Sequence, residues 1–255
     1  MLFERKPMGV CLTQAGQQLY RDSHDAFLRL SNSLEAARPV VAEKTLVLTT
    51  TPAFAAIWLI PRLSKFHERF PQLHIHVETS DAPVDLERDA SVDLAIRCSA
   101  RDYPALFQVD LLTEYFGAYA APDFDDHIKN GKIDLIAVQW NTPSPVSVTW
   151  QSWCAAAGKE EWLRCAVFRH YNDEHYALQA VLHGQGAVLA SSVLVADPLV
   201  QGALRPIEPS VRIPGARYLA LCKPGRERLP PIRAFLEWLE EEAGKTRSEL
   251  ARFDG

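Results

Sequence analysis

The 255-residue sequence predicts an α/β fold with a mainly parallel sheet, entered through one long helix. Two patterns predict the sheet: short apolar or alternating runs such as TLVLTT and LHIHVETS, and amphipathic stretches between them such as PAFAAIWLIPRLSKFHERF. A third predicts the helix: Tyr20, Phe27, Leu34 and Val41 recur every seven residues, with Leu30 and Ala37 between them.

The elements follow in order. Residues 1–12 read as the end of a structure that begins earlier, with a short basic turn (Arg5, Lys6, Pro7) before an apolar Val10-Cys11-Leu12. Thr13 is a good N-cap for a helix over 13–41, which Arg38-Pro39 should end. Its single apolar stripe must be buried, and a second copy of the same helix is the economical partner, against packing on its own body. From 46 onward come a buried strand ending in Thr49-Thr50-Thr51, a helix opened by Pro52, the strand at 73–79, a short helix at 85–91 and the strand VDLAIRC. LLTEYFGAYA reads as an apolar strand leading to Pro122. A loop-rich stretch, an aromatic patch with Trp150 and Trp153, a strand at 164–168, the helix DEHYALQAVLH stopped by Gly184, and the strands AVLA and ARYLALCK complete the sheet. PPIRAFLEWLEEEAG reads as a last amphipathic helix, with Pro at its start and Gly244 at its end.

Composition bounds the function. The chain is 47% hydrophobic and 23% charged, as a globular protein is, with no apolar run near the ~18 residues of a membrane helix and no signal-peptide core. Five scattered cysteines without a CxxC pair suit reduced thiols and a cytoplasmic location. Net charge is −5: residues 1–45 hold six basic and five acidic groups, so the remainder carries −6. A body that acidic repels the phosphates of a nucleic acid. No cofactor motif and no catalytic signature is present. His74 and His76 share a strand face without a third ligand, His170 and His175 lack helical spacing, and Gly184-Gln185-Gly186 lacks the Lys-Ser/Thr of a phosphate loop. The reading is therefore a binder, not an enzyme.

Binding candidates sit where strands end. Thr51 and Pro52 occupy the N-cap and first position of a helix, where free amides and hydroxyls of Thr50 and Thr51 can hold an anion; plain capping by Thr51 is the alternative. Arg97 ends a strand, where open α/β sheets place ligands, and its fork suits a carboxylate; a structural pair with Asp93 or another acid is the alternative. Asp173 precedes a helix and is either ligand contact or N-cap. Phe54 and Trp150 are candidates for a cleft wall, with core packing as the alternative.

LFERKPMGVCLTQAGQQLY (2–20) resembles the wing and linker-helix entry of LysR-type transcriptional regulators, and LVLTTTPAFAAIWLIPRLSKFHERFPQLHIHV (46–77) the opening of their effector domain. WLIPRLSKF is similar to the glycine-cleavage-activator branch of that family. VDLAIR, ALQAVLHGQGAVLASSVLV, QGALRPI and PIRAFLEWLEEEA fit later blocks in the right order.

The resemblance implies a two-lobed, periplasmic-binding-protein-like (type II) effector domain behind a dimerisation helix and a winged-helix remnant. It places lobe I at about 46–121 and 215–245, lobe II at about 122–214 and a tail at 246–255. It implies a small effector, with a carboxylate or similar group, held by Thr50 and Thr51 and by second-lobe contacts near Tyr171 and Asp173. It also implies a homodimer or homotetramer, and DNA as partner through the N-terminal domain, to whose wing Arg5 and Lys6 would belong as phosphate contacts. In the family the recognition helix precedes LFER, so the expectation for the chain as written is no operator reading of its own. A stand-alone small-molecule binder or a decoy partner for intact regulators, and more remotely a two-lobed dehydratase or transferase, are the rival readings.

Overall fold

The computed structural model describes residues 2–6, 9–37, 44–86, 89, 91–124, 131–140 and 148–253. Contacts divide the chain into two units, Met1–Ala42 and Glu43–Gly255.

In the first unit, β1 (Phe3–Lys6) and β2 (Gly9–Leu12) form an antiparallel hairpin in which Phe3 faces Leu12. The hairpin leads straight into α1 (Gln14–Ala37). Thr13 is the predicted cap: its Oγ1 accepts from the Gly16 amide at 3.1 Å, and its own amide donates to the Leu2 carbonyl at 3.0 Å. Gly16 has to be glycine, because a Cβ there would lie 2.1 Å from the Leu2 carbonyl oxygen. Leu19, Tyr20 and Phe27 are exposed on α1, at 50%, 61% and 72%. The side chains of Arg5, Lys6, Leu30, Leu34 and Ala37, and the whole of Arg38, Pro39 and Val41, lie outside the described residues.

The second unit runs β3 (Lys44–Thr50), α2 (Pro52–Phe54), α3 (Ile60–Arg69), β4 (Leu73–Thr79), β5 (Leu94–Ser99) and β6 (Phe107–Ala120). It continues with β7 (Ile133–Val138), α4 (Trp150–Ala157), α5 (Glu160–Cys165), β8 (Ala166–Tyr171), α6 (Glu174–Leu182) and β9 (Ala187–Ser191). Then come α7 (Ser192–Val200), β10 (Arg205–Ile207), β11 (Ile213–Cys222) and α8 (Pro230–Leu250). Between α2 and α3 the helix widens into a π turn, Ala55–Leu59. Pro61 explains it: a proline in a helix interior offers no amide and crowds the carbonyl four residues back, and a wider turn relieves both.

The strands form one nine-stranded sheet in the order β4-β3-β5-β11-β6-β9-β7-β8, with β10 added on β6. It is mixed rather than mainly parallel. Parallel pairing holds at the two ends, β4-β3-β5 and β9-β7-β8. The middle is antiparallel, because the long β6 and β11 run against each other and against their outer neighbours. An antiparallel pair needs no crossover helix. The alternation of strands and helices along the chain carries no hint of that pair.

Two large cores pack on this sheet, beside a smaller one of Leu86, Val92, Ala95, Leu219 and Leu221. One gathers Phe54, Trp58, Phe66, Phe235, Trp238 and Leu239 from α2, the π turn, α3 and α8. Burying each such side chain is worth about 1.5–3 kcal/mol. Arg62 ties α3 to α7 through a two-pronged pair with Asp197, at 2.8 and 2.5 Å, and lies over the Trp58 ring. The other core is built on Trp150, Trp153 and Trp162, whose rings pack 5.5–6.4 Å apart.

Several local expectations change. The strand placed at 164–168 lies at Ala166–Tyr171, behind the short helix α5. No helix is assigned among the described residues of 85–91; residues 87, 88 and 90 lie outside them. Gly244 does not stop α8, which continues to Leu250 because Thr246 and Leu250 are buried and the Trp58 indole N–H donates to Thr246 Oγ1 at 3.0 Å. Residues 246–250 are therefore core-forming helix rather than tail. None of the helices is long and apolar enough to cross a membrane, among the described residues.

Candidate functional site

A cavity of about 460 Å³ opens at the carboxyl ends of β3 and β5, in the size range of small-molecule pockets. Thr51, Arg97, Cys98, Glu114, Asp173 and Glu174 are among the residues that line it.

Thr51 stands between β3 and α2 with extended backbone angles (φ −73°, ψ 151°), and its side chain makes no capping bond. Plain capping, which needs that hydroxyl turned back to the helix, is therefore not its role; the side chain is half-buried at the cavity. Thr50 is fully buried, its hydroxyl has no hydrogen-bond partner, and it does not line the cavity. Thr49, the first threonine of the run, takes the structural part: Arg97 Nη2 donates to Thr49 Oγ1 at 2.9 Å.

Arg97 is 8% exposed. Its Nη1 donates to the Ile96 carbonyl at 3.2 Å, and its Nε has no partner. Asp93 is not its counter-ion. That carboxylate accepts from the Val47 amide at 2.9 Å and pairs with Arg226 at 2.9 Å. Among the described residues no carboxylate forms a salt bridge with Arg97. Burial pulls its proton affinity down, while Tyr103 and Asp81 pull it back up. A buried guanidinium without a carboxylate is costly, because the desolvation it suffers is not repaid by a counter-charge.

The acids of the cavity form a second group. Glu114 projects from β6 and Glu174 from the first turn of α6, and both are more than nine-tenths buried. Ser191 joins them: its Oγ donates to Glu114 Oε2 at 2.5 Å and its amide to Glu174 Oε1 at 3.0 Å. Glu114 Oε1 also accepts from the Cys98 thiol at 3.2 Å and the Ala216 amide at 3.4 Å. Gly215 leaves room for this arrangement, since a Cβ there would lie 2.4 Å from Glu114 Cγ. Burial pushes Glu174 up to about 8, with the neighbouring Glu114 charge adding to it, and burial raises Glu114 as well. Burial followed by Glu114 drives the Cys98 thiol far upward, so it is no thiolate nucleophile.

Asp173 both lines the cavity and caps α6, accepting from the His175 amide at 2.7 Å. The remaining candidates lie elsewhere. Phe54 is core, stacked between Trp58 and Tyr218 at 4.9 and 4.7 Å. Trp150 is 3% exposed, donates its indole N–H to the Ile136 carbonyl at 2.8 Å, and borders a separate cavity of about 330 Å³. Tyr171 does not reach the first cavity; its hydroxyl donates to Gln185 Oε1 at 3.3 Å, while its neighbour Asn172 lines the wall. Three of the residues singled out in the sequence, Thr51, Arg97 and Asp173, thus meet at one place. Glu114 and Glu174 were missed, although a lone glutamate inside the apolar run LLTEYFGAYA is a visible signal.

Comparison with known proteins agrees with this architecture. Residues 41–244 match the family model "LysR substrate binding domain". The chain is 26% identical over 260 residues to the glycine cleavage system transcriptional activator of Escherichia coli K12, covering 98% of this chain and 81% of that protein. It is 30% identical over 250 residues to the HTH-type transcriptional regulator TrpI of Pseudomonas aeruginosa, covering 94% and 82%. In fold it matches the effector domain of the transcriptional regulator AmpR of Pseudomonas aeruginosa, with a TM-score of 0.60 at 21% identity, over 81% of this chain and 100% of that one. With the family's domain filling residues 41–244 and its full-length members aligned across almost the whole chain, this protein belongs to the LysR-type transcriptional regulators and contains their effector-binding domain.

Proposed function

We propose that this regulator senses a small anionic molecule, of the carboxylate class, bound in the cavity beside Thr51 and Arg97. The observation that carries the reading is Arg97: a buried guanidinium facing a cavity, held in place by Thr49 and Ile96, with no carboxylate of its own among the described residues. A ligand carboxylate would accept the fork and the Thr51 hydroxyl together. In this reading the chain holds its ligand without turning it over, in keeping with relatives named as transcriptional regulators. The lobes would be about 46–121 with 215–245, and about 122–214. Binding between them favours one arrangement over another only as far as its affinity for the two differs. Self-association through α1 would pass that change to a DNA-reading head, with Arg5 and Lys6 on phosphates, inside the cytoplasm.

A thermal-shift screen of small carboxylic acids tests this on the chain and on an Arg97→Gln variant. At least one acid should raise the melting temperature of the unsubstituted chain, and Arg97→Gln should weaken it about ten- to hundredfold. A hit that survives Arg97→Gln undiminished, or a broad screen with no hit, sinks the proposal.

A further inference from the structure

We infer that the effector is amphoteric: besides the anionic group at Arg97, it carries a cationic amino group received by Glu114 and Glu174. The inference rests on the proposed reading of Arg97 for its anionic half and adds the other half from different residues.

Groups of both kinds, acid and base, lack a salt-bridge partner in this cavity among the described residues. Both carboxyl groups are more than nine-tenths buried, and neither forms a salt bridge with any lysine, arginine or histidine among the described residues. Arg97, just as buried, lines the same cavity with an unpartnered Nε. Acid and base are thus present in one cavity without pairing with each other. Buried charges are ordinarily paired. The hydrogen bonds already made leave capacity open. Glu114 is occupied at both oxygens by Ser191, Cys98 and Ala216, whereas Glu174 accepts one bond among the described residues, from the Ser191 amide. An ammonium has donors to give and no acceptor need. A molecule with a carboxylate at one end and an ammonium at the other satisfies both groups at once; a plain carboxylate leaves the acid pair unmet.

The acid pair also fits a single positive charge. Burial lifts Glu174 to about 8 and raises Glu114, so the two hold at least one proton between them at neutral pH. Asp81, Asp173, Cys98, Tyr103, Tyr218 and Arg101 are the other titratable or charged groups around the cavity. An arriving ammonium would displace the shared proton. A purely structural acid pair would not respond this way.

Isothermal titration with matched trios of probes tests the inference: alanine, lactate and propionate, and phenylalanine, phenyllactate and phenylpropionate. Within at least one trio the amino acid should bind about tenfold or more tightly than its hydroxy and unsubstituted counterparts. Glu174→Gln should erase that preference, with Glu114→Gln as the second variant if Glu174→Gln fails to fold. Repeating the titration in buffers of different ionisation enthalpy should show proton release on binding, absent in Glu174→Gln. Equal binding of all three members, lost in Arg97→Gln but kept in Glu174→Gln, overturns the amphoteric effector and leaves the anionic one standing. Failure of every amino-acid probe at millimolar concentration overturns it too, whatever a wider carboxylate screen returns.

Discussion

The Glu174 carboxyl is lifted from the usual range near 4.5 to about 8, first by burial and then by Glu114. The folded protein therefore holds the proton more tightly than the unfolded chain. Its contribution is fully present below about pH 4.5 and is lost as the pH rises through about 8. Glu114, raised as well, pulls the same way. Denaturant unfolding across that window should lose about 1.4 kcal/mol or more, the free energy of a tenfold change in proton affinity. Glu174→Gln, which keeps the shape and removes the titration, should flatten the slope; an equally steep slope in the variant would exclude Glu174 as its source. At this scale the sequence was half legible. Arg97 and Thr51 stand at strand and helix ends, where the fold class alone says ligands bind. The acid pair depends on Ser191 meeting two elements from different parts of the chain, and nothing local in DEHYALQAVLH signals it. Phe54 and Trp150 misled because an aromatic near a strand end looks the same whether it faces a cavity or a core.

Elements are read from periodicity, and α8 shows the limit of reading their ends. Its apolar spacing predicts the helix, but Gly244 reads as a stop, a role that requires a left-handed backbone. Here Gly244 stays inside the helix, and buried Thr246 and Leu250 carry it on. Only packing, through the Trp58–Thr246 bond and the burial of Leu250, distinguishes the two outcomes. A consequence is measurable. A Cβ at Gly244 would meet nothing closer than Arg247 Nη2 at 3.7 Å, so Gly244→Ala should stabilise by about 0.5–1 kcal/mol and raise the melting temperature by a degree or more. Gly186 is the control with opposite sign: its φ is +133° and a Cβ would lie 2.5 Å from the Asp134 carbonyl oxygen. Gly186→Ala should lower the melting temperature. Equal effects at both sites would contradict the backbone argument.

At the scale of the whole molecule, the proposed passage of the sensor's state to a second copy would rest on α1, which carries exposed apolar side chains. Leu19, Tyr20 and Phe27 stand 50%, 61% and 72% exposed on it, and apolar side chains at that spacing lose free energy in water that a partner helix would recover. The heptad pattern makes this stripe legible in the sequence alone, since it needs only period and residue type. By contrast, the mixed sheet hid its central antiparallel pair, because β11 reaches β6 from far along the chain. If α1 is the joining surface, the protein should sediment at a multiple of its 28.6 kDa mass at micromolar concentration. Replacing Tyr20 and Phe27 together by glutamate places like charges on facing helices and should return it to 28.6 kDa. The candidate cavity draws all its lining from residues beyond Thr50, so the double variant should keep the thermal shift of a carboxylate that raises the melting temperature of the unsubstituted chain, while losing self-association. A variant that still sediments as a multimer would move the interface off α1. One that loses both properties would show that ligand binding needs the paired state, and the two readouts together separate these cases.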